Sequence, residues 1–531
     1  MSEQDRPSPE PSRKPPAALK VWSHIAAAVC ILATAAISLY VFYSRGLTNL
    51  YGDGISHMEG ARRIFDSLTP GYQEIGSVWL PLYHLLVAPL AINDHLWRTG
   101  LAGSLVSTAA FCLAAWFLYR LAFEIVGTSA AGWVALVGML FCPSMMYLAS
   151  TPLTEPLMVC MTVLTIYGLF RFQRSGSMLA LTGASFAALL GTLTRYDGWF
   201  LLPFAAMFVF LARPVRIEER FRNALFFCCL AGIGPALWLL HNAVRFGNPL
   251  EFLNGPFSAQ AIYAHQVATT GFRYPTDGSL LLSVRYLLAD LVLIIGPWQL
   301  ILAALGFILW LFIPHERSRR SVVLLFLVPF IFYTYSMAHS AVALYVPTLF
   351  PHTYYNLRYG IELLPAIAVF PAFLAGRRIN GKARPVLLGA VVALIVGSCA
   401  YGFYKGPSQL PVVVESVKNS PCKSPNQQAL IGFFKGKYDE GEILATAGEW
   451  PCLMPEAGIP FHKTISEANH DLWLQVSHDP AHLVEWIIRG EGDSVDDLMR
   501  ARPSAFKAFE LVERFQFAKM SWVEIYRRRS G

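Results

Sequence analysis

Eleven apolar stretches dominate the chain, near residues 23–43, 98–119, 128–148, 155–170, 178–193, 199–212, 223–240, 286–313, 322–340, 359–375 and 386–404. A bilayer core takes about 20 apolar residues per helix, with roughly 17 as a lower bound for an upright one. Backbone inside that core must satisfy its own hydrogen bonds, which restricts such stretches to helices. The pattern therefore predicts a polytopic α-helical membrane protein with about eleven spans, ten to thirteen being the range it allows. The stretches 155–170, 178–193 and 199–212 are the shortest. They cross only if flanks such as 151–154 and 195–198 continue the helix or sit in a protein-lined cavity. Composition agrees: 55% of the 531 residues are hydrophobic and only 15% charged, against about 25% charged in soluble chains. A soluble enzyme, a disordered chain and a collagen are all excluded.

Charge sets the expected orientation. With the N-terminus inside and spans alternating, the inner segments hold eighteen Lys and Arg residues and the outer segments up to residue 404 hold nine. Basic residues gather on the cytoplasmic side, so this arrangement is favoured, and everything after residue 404 falls outside. Residues 1–20, rich in proline and charge, read as a disordered cytoplasmic tail. The run 23–43 is longer than the 7–15 apolar residues of a signal peptide, which favours an uncleaved first span.

Domain organisation follows. Residues 21–404 form the membrane domain, with a first external loop over 44–97; residues 405–531 turn polar and are numerous enough for a small external α/β domain. Within the loop, 55–68 reads as a surface helix and 79–92 as a buried or interfacial one, with Trp79 and Trp97 near the headgroups. Residues 241–285 show little period and read as a mobile loop over a cavity. In the tail, 442–447, 484–488 and 522–526 read as strands, and 425–435 and 504–516 as helices. Seven of the nine cysteines lie in or beside apolar runs. Cys422 and Cys452 stand alone in the tail, either as free thiols or as a disulfide in an oxidising compartment.

Ionisable residues at the ends of apolar spans are functional suspects, because charge at membrane depth is costly. Four places stand out. Asp53 lies between Gly52 and Gly54, soon after the first span; its carboxylate suits general base catalysis, or equally an Asx-turn or helix N-cap. His57 and Glu59 follow closely. Glu155, in Thr154-Glu155-Pro156, could bind substrate, brace a loop, help hold a metal or simply favour a helix start. Arg195 and Asp197, in Thr194-Arg195-Tyr196-Asp197-Gly198, either pair with each other or leave the arginine as a bidentate phosphate ligand. Arg358 and Tyr359 open a later span; Arg358 either pairs with Glu362 at i,i+4 spacing or faces a phosphate at the water–lipid boundary. Arg245, after the 223–240 stretch, is a third cation on the same predicted side.

These motifs, in this order, resemble the membrane glycosyltransferases of the GT-C type, and within them the branch of protein O-mannosyltransferases and lipid A aminoarabinose transferases. The residues that carry the likeness are Tyr51-Gly52-Asp53-Gly54, Thr154-Glu155-Pro156, Thr194-Arg195-Tyr196-Asp197-Gly198, Leu357-Arg358-Tyr359, and the run from Gly76 to His84. The resemblance spans about 40–405. It implies inverting transfer of a sugar from a polyprenyl- or dolichyl-phosphate donor to a lipid, glycan or protein hydroxyl. Asp53 would be the base, and Arg195, Arg245 or Arg358, with Tyr359, would hold the donor phosphate. It also implies a multi-pass protein of the cell (inner) membrane with a periplasmic or extracellular tail. Expected partners are the lipid-linked donor, the acceptor and membrane lipids, and no nucleic acid. Some relatives require a divalent metal and others do not; Asp53 with Glu155 is too small a set to demand one. One departure matters: protein mannosyltransferases carry a second acidic residue where this chain has Gly54, which weakens a protein acceptor. The rival readings are a transporter or flippase for a lipid-linked sugar, which would not need Asp53, and a structural membrane protein whose tail binds a partner.

Overall fold

The computed structural model describes residues 17–312, 321–376, 383–467, 469–517 and 522–529. Residues 1–16 of the expected tail lie outside the described residues, as do Arg317, Arg319, Arg320, Arg377, Arg378 and Lys382 of the charge count. Residues 17–20 already belong to the first helix, Ala17–Tyr43.

Each of the eleven apolar stretches is helical. Among the described residues, seven helices are long and apolar enough to cross a membrane: Val21–Tyr43, Leu101–Val126, Glu155–Ser175, Ile217–Phe246, Ser321–Ala338, Leu357–Ala375 and Arg384–Gly402. An eighth is added if Leu280–Ile294 and Pro297–Leu311 count as one span bent by 114°. The bend has a local cause. Gly296 sits at φ 102°, a backbone state that side chains disfavour, and Pro297 starts a new helix because it has no N–H to continue the old one. The remaining stretches give helices of sub-span length, Ser129–Leu140, Met178–Thr192 and Tyr196–Leu211.

Burial sorts the long helices into lining and centre. Arg384–Gly402 is only 17% buried and exposes residues such as Val386 and Leu394, as a lipid-facing helix does, whereas Leu357–Ala375 is 89% buried. That central segment is irregular, running as a 3-10 turn over Leu357–Leu363, an α turn over Leu364–Val369 and another 3-10 turn over Phe370–Ala375. Irregular backbone at membrane depth is tolerated where protein surrounds it.

The loop after the first span departs from its expected form. Its helix runs over Gly52–Arg63, not 55–68, and it is enclosed: Ile55 and Met58 are buried together with His57 and Glu59. Gly52 and Gly54 form helix rather than a tight turn. A Cβ on Gly54 would lie 3.1 Å from Cγ of Pro152, so this glycine serves a close approach. Trp97 is buried under Arg62 rather than placed at an open surface. The 241–285 segment is also more ordered than expected, with a helix over Ala259–Thr270. Ser258 caps its start by accepting from the Ala261 N–H, and Gly271 ends it in the left-handed region.

The tail carries a five-stranded sheet: β1 Ile443–Leu444, β2 Thr464–Ile465, β3 Trp486–Gly490, β4 Phe509–Gln516 and β5 Trp522–Arg528, in the order β2-β1-β3-β5-β4. β1 runs parallel to β2 and β3; β5 is antiparallel to β3 and β4. β3 is the central strand and is almost wholly apolar, while β4 is an edge with Glu510, Glu513 and Arg514 along it. The expected helix over 504–516 is therefore mostly strand. Its spacing suited a helix, but pairing along β5 satisfies its backbone instead. A disulfide joins Cys422 and Cys452. The helix Pro411–Lys418 ties the tail to the membrane domain: the Tyr51 hydroxyl donates to the Val412 carbonyl at 2.8 Å, and Tyr147 meets Ser416 at 2.7 Å.

Candidate functional site

Five elements remote in sequence converge where the loop after the first span meets the ends of later helices. Asp53 lies in the first turn of Gly52–Arg63, where the helix N-terminus favours a negative charge. Arg358, in the 3-10 turn Leu357–Leu363, donates from Nη2 to Asp53 Oδ2 and places Nε 2.9 Å from Glu155 Oε1. The Asp53 side chain is 45% exposed, whereas those of Arg358 and Glu155 are 5% and 1%. Asp53 is thus the open member of a buried pair. Burial works against its ionisation, but the Arg358 guanidinium outweighs this and holds the carboxyl below its ordinary range.

Arg195 forms the second half. As the residue preceding the helix Tyr196–Leu211, it has extended backbone that turns its side chain inward. Its Nη1 reaches Thr154 Oγ1 at 2.9 Å and Glu155 Oε1 at 3.1 Å, so one carboxylate oxygen of Glu155 bridges both arginines. Its Nε lies 3.0 Å from Glu362 Oε1, and its Nη2 donates to the Tyr333 hydroxyl at 3.2 Å. Tyr333 in turn donates to Glu362 at 2.8 Å. The Tyr359 ring sits under both cations, 5.3 Å from Arg195 and 5.2 Å from Arg358, and stacks on Tyr333.

Of the two pairings weighed from the sequence, one is replaced and one is kept at longer range. Arg358 and Glu362 do not form an i,i+4 pair. In a 3-10 turn residues three apart align, and a residue four apart is rotated by about 120°; Glu362 therefore reaches Arg195. Asp197 does pair with Arg195, its Oδ1 3.8 Å from Nε, and the same oxygen accepts from the Gly198 N–H at 3.1 Å.

Glu415, on the tail helix Pro411–Lys418, is a member that local sequence patterns do not point to. It accepts from the Asn356 and Leu357 N–H groups at 2.6 and 3.1 Å and from the Tyr51 hydroxyl at 3.3 Å. Burial pushes its carboxyl up to about 7, with Arg358 and these donors pulling the other way. The tail thus pins the turn that presents Arg358. Tyr333 was likewise unmarked, since a tyrosine in an apolar run reads as core.

The remaining candidates make none of these ion pairs or hydrogen bonds. His57 is buried against Trp79, its Nδ1 3.0 Å from Nε2 of His84, and burial holds it down to about 4, so it is neutral at physiological pH. Glu59 points toward the tail domain beside Arg63, and burial raises its carboxyl to about 8. Arg245 is exposed at the end of Ile233–Phe246 and takes no part in the ion pairs above. Among the described residues no group of three or more His, Cys, Asp or Glu side chains is arranged to hold a metal ion. Asp53 and Glu155, the pair considered for one, share Arg358 instead.

A helical membrane domain whose first long loop carries an acidic helix start, joined to a β-containing C-terminal domain, makes a GT-C-like fold. Two solved structures share it along nearly the whole chain. ArnT from Cupriavidus metallidurans bound to undecaprenyl phosphate matches with a TM-score of 0.57 and 15% identity, over 96% of this chain and 98% of that one. The apo state of ArnT from Cupriavidus metallidurans matches with a TM-score of 0.56 and 15% identity, over the same shares. No protein-family model and no curated protein matches the chain.

Proposed function

We propose that the protein is an inverting glycosyltransferase that moves a sugar from a polyprenyl-phosphate donor to a hydroxyl of a lipid, glycan or protein acceptor on the outer face of the membrane. The observation that carries this reading is the open Asp53 carboxylate paired with the buried Arg358, in a fold shared with a protein whose structure holds undecaprenyl phosphate. Asp53 takes the acceptor O–H proton as that oxygen attacks the anomeric carbon, and the bond from that carbon to the phosphate oxygen breaks. The polyprenyl phosphate leaves with one more negative charge, which Arg358 and Arg195 neutralise. The ion pair gives a reason for order. A phosphate that engages Arg358 competes with Asp53 for its donors, and an Asp53 so released is a stronger base. Arg245 makes none of the cluster's ion pairs, and the proposal does not need it.

In this reading the three sub-span helices complete a set of about eleven spans in the cell (inner) membrane, with the N-terminus in the cytoplasm. The membrane domain ends near residue 404, and the tail forms a periplasmic or extracellular domain. The Cys422–Cys452 disulfide supports an oxidising location for it. The test is incubation of the purified protein with labelled polyprenyl-phosphate sugars and a panel of acceptors, alongside Asp53→Asn. Transfer by the parent and loss by the variant, with melting unchanged, supports the enzyme. Equal transfer by both removes Asp53 as base, and no transfer with any donor favours a transporter.

A further inference from the structure

A second group of arginines gathers at the far end of the helix Glu155–Ser175. Arg120 places Nη2 3.1 Å from Glu124 Oε1, while Arg171 and Arg174 place Nη1 at 3.2 and 3.6 Å from Glu124 Oε2. Tyr167 donates its hydroxyl to the same carboxylate at 2.9 Å. Arg213 reaches the turn that follows this helix. Its guanidinium lies over the Phe172 ring at 5.9 Å, and a Cβ on Gly176 would stand 2.0 Å from its Nη1. Glu155 opens the helix and belongs to the Asp53 cluster, whereas Arg171 and Arg174 close it. At 1.5 Å per residue the two arginines lie about 24 and 29 Å beyond Glu155. That is close to the thickness of a bilayer core, so this second group sits at the opposite membrane boundary from Asp53.

The charges there do not balance. Four guanidinium groups face one carboxylate, and the C-termini of Leu101–Val126 and Glu155–Ser175 add about half a negative charge each, which leaves a surplus of about two. Among the described residues no ion pair links Glu218 or Glu219, in the first turn of Ile217–Ala231, to any of the four arginines. The cations are also within reach of a ligand: the side chains of Arg171 and Arg174 are 48% and 56% exposed. Each spends only Nη1 on Glu124, which leaves the rest of its planar fork for the paired oxygens of a phosphate. The surroundings select the source of that phosphate. Met178, Leu179 and Leu211, beside the cluster in sequence, are 45%, 82% and 60% exposed although they belong to apolar helices. Bare aliphatic side chains next to arginines mark the level where acyl chains give way to headgroups, and basic clusters between helix ends at that level take anionic lipids.

We propose that Arg120, Arg171, Arg174 and Arg213 bind the phosphate of an anionic phospholipid in the leaflet opposite the Asp53 cluster, with its acyl chains along Met178, Leu179 and Leu211. Glu124 holds three of the arginines at a fixed spacing, and the lipid phosphate supplies the negative charge that the protein lacks there. The inference is independent of the transfer reading, because it concerns lipid binding at a place that shares no residue with the Asp53–Arg358–Arg195 cluster.

The test is native mass spectrometry of the full chain released from detergent micelles, titrated separately with phosphatidylglycerol and phosphatidylcholine. Phosphatidylglycerol should bind more tightly by about ten-fold or more. The double change Arg171→Gln with Arg174→Gln should weaken its binding by roughly twenty-fold, each arginine near a charged headgroup being worth about five-fold. Arg213→Gln, which breaks no ion pair among the described residues and so is less able to disturb folding, should weaken it by about five-fold. Arg358→Lys should bind the lipid as the parent does. Equal affinity for the two lipids overturns the proposal, as does unchanged binding in both the double variant and Arg213→Gln. An equal loss in Arg358→Lys would put the lipid at the Asp53 cluster and overturn it too. So would full displacement by equimolar inorganic phosphate, which would make the ligand a free anion rather than a lipid.

Discussion

Arg358 and Arg195 share the buried Glu155, and Arg358 also holds the half-exposed Asp53, so the loss of each partner has separable consequences. Replacing Arg358 by Ala removes one of the two buried cations on Glu155 and leaves Arg195 as its partner, so the cost should fall below the about 3–5 kcal/mol of a buried pair left with no counter-charge. Thermal melting of Arg358→Ala should fall accordingly, and Arg358→Lys should recover part of the stability but little transfer, because one ammonium cannot serve Asp53, Glu155 and a phosphate in the geometry of a planar fork. Asp53→Asn should behave oppositely. Its side chain is half exposed and its loss relieves no packing, so melting holds while transfer drops by about 10²–10⁴-fold, the usual worth of a positioned base. Glu59 offers a pH test. Its folded carboxyl titrates near 8 and its ordinary value is 4.5, so the folded state keeps a proton that the unfolded chain releases. That stability is fully present below about 4.5 and is lost as pH rises toward 8. Melting curves of the parent should therefore fall across pH 5–8, and Glu59→Gln should flatten that fall; an identical slope in both would show that Glu59 does not set it.

The elements explain why some of these residues were legible and others were not. The Asp53, Glu155, Arg195 and Arg358 motifs stand out because charge is rare next to apolar spans, and rarity is a local property of sequence. Partner choice is different. The Arg358–Glu362 spacing suits an α-helix, and only the 3-10 geometry of Leu357–Leu363 sends the two side chains apart. Phe509–Gln516 illustrates the same limit, since its neighbour β5 decides that it is strand. Gly54 reads as a turn residue but acts as a contact surface for Pro152. Gly54→Val should lower stability by about 1–3 kcal/mol through overpacking and displace the start of the helix that carries Asp53, with a fall in transfer larger than the change in melting accounts for. In the tail, the Cys422–Cys452 bond closes a separation of 30 residues. Its loss in Cys422→Ala should cost roughly 3–4 kcal/mol on chain-entropy grounds, read as earlier unfolding of the tail domain.

At the scale of the molecule, the tail is part of the site rather than an appendage. Glu415 holds the backbone at Asn356 and Leu357, and Tyr51, the neighbour of Gly52, bonds to the same tail helix. Truncation near residue 405 should therefore abolish transfer even if the membrane domain still inserts. The proposed topology is checked by single cysteines labelled with a membrane-impermeant thiol reagent in a background lacking the exposed native ones. Positions 436 and 492 should react from outside in intact cells, and position 216 only after the membrane is opened. Reaction of 216 in intact cells would reverse the orientation drawn from the basic residues.

What the sequence determined by itself is the solvent: apolar runs are a local, additive property, and residence in a membrane follows from them, though which runs face lipid and which are enclosed by protein does not. It also marked the residues too costly to keep at membrane depth without a use. Only the tertiary structure decided that Asp53 meets Arg358 across 305 residues, that Glu155 bridges two arginines, and that a glutamate of the tail fixes the turn between them. Those contacts join several distant elements at once, and no single stretch of chain contains the geometry that selects one partner over another.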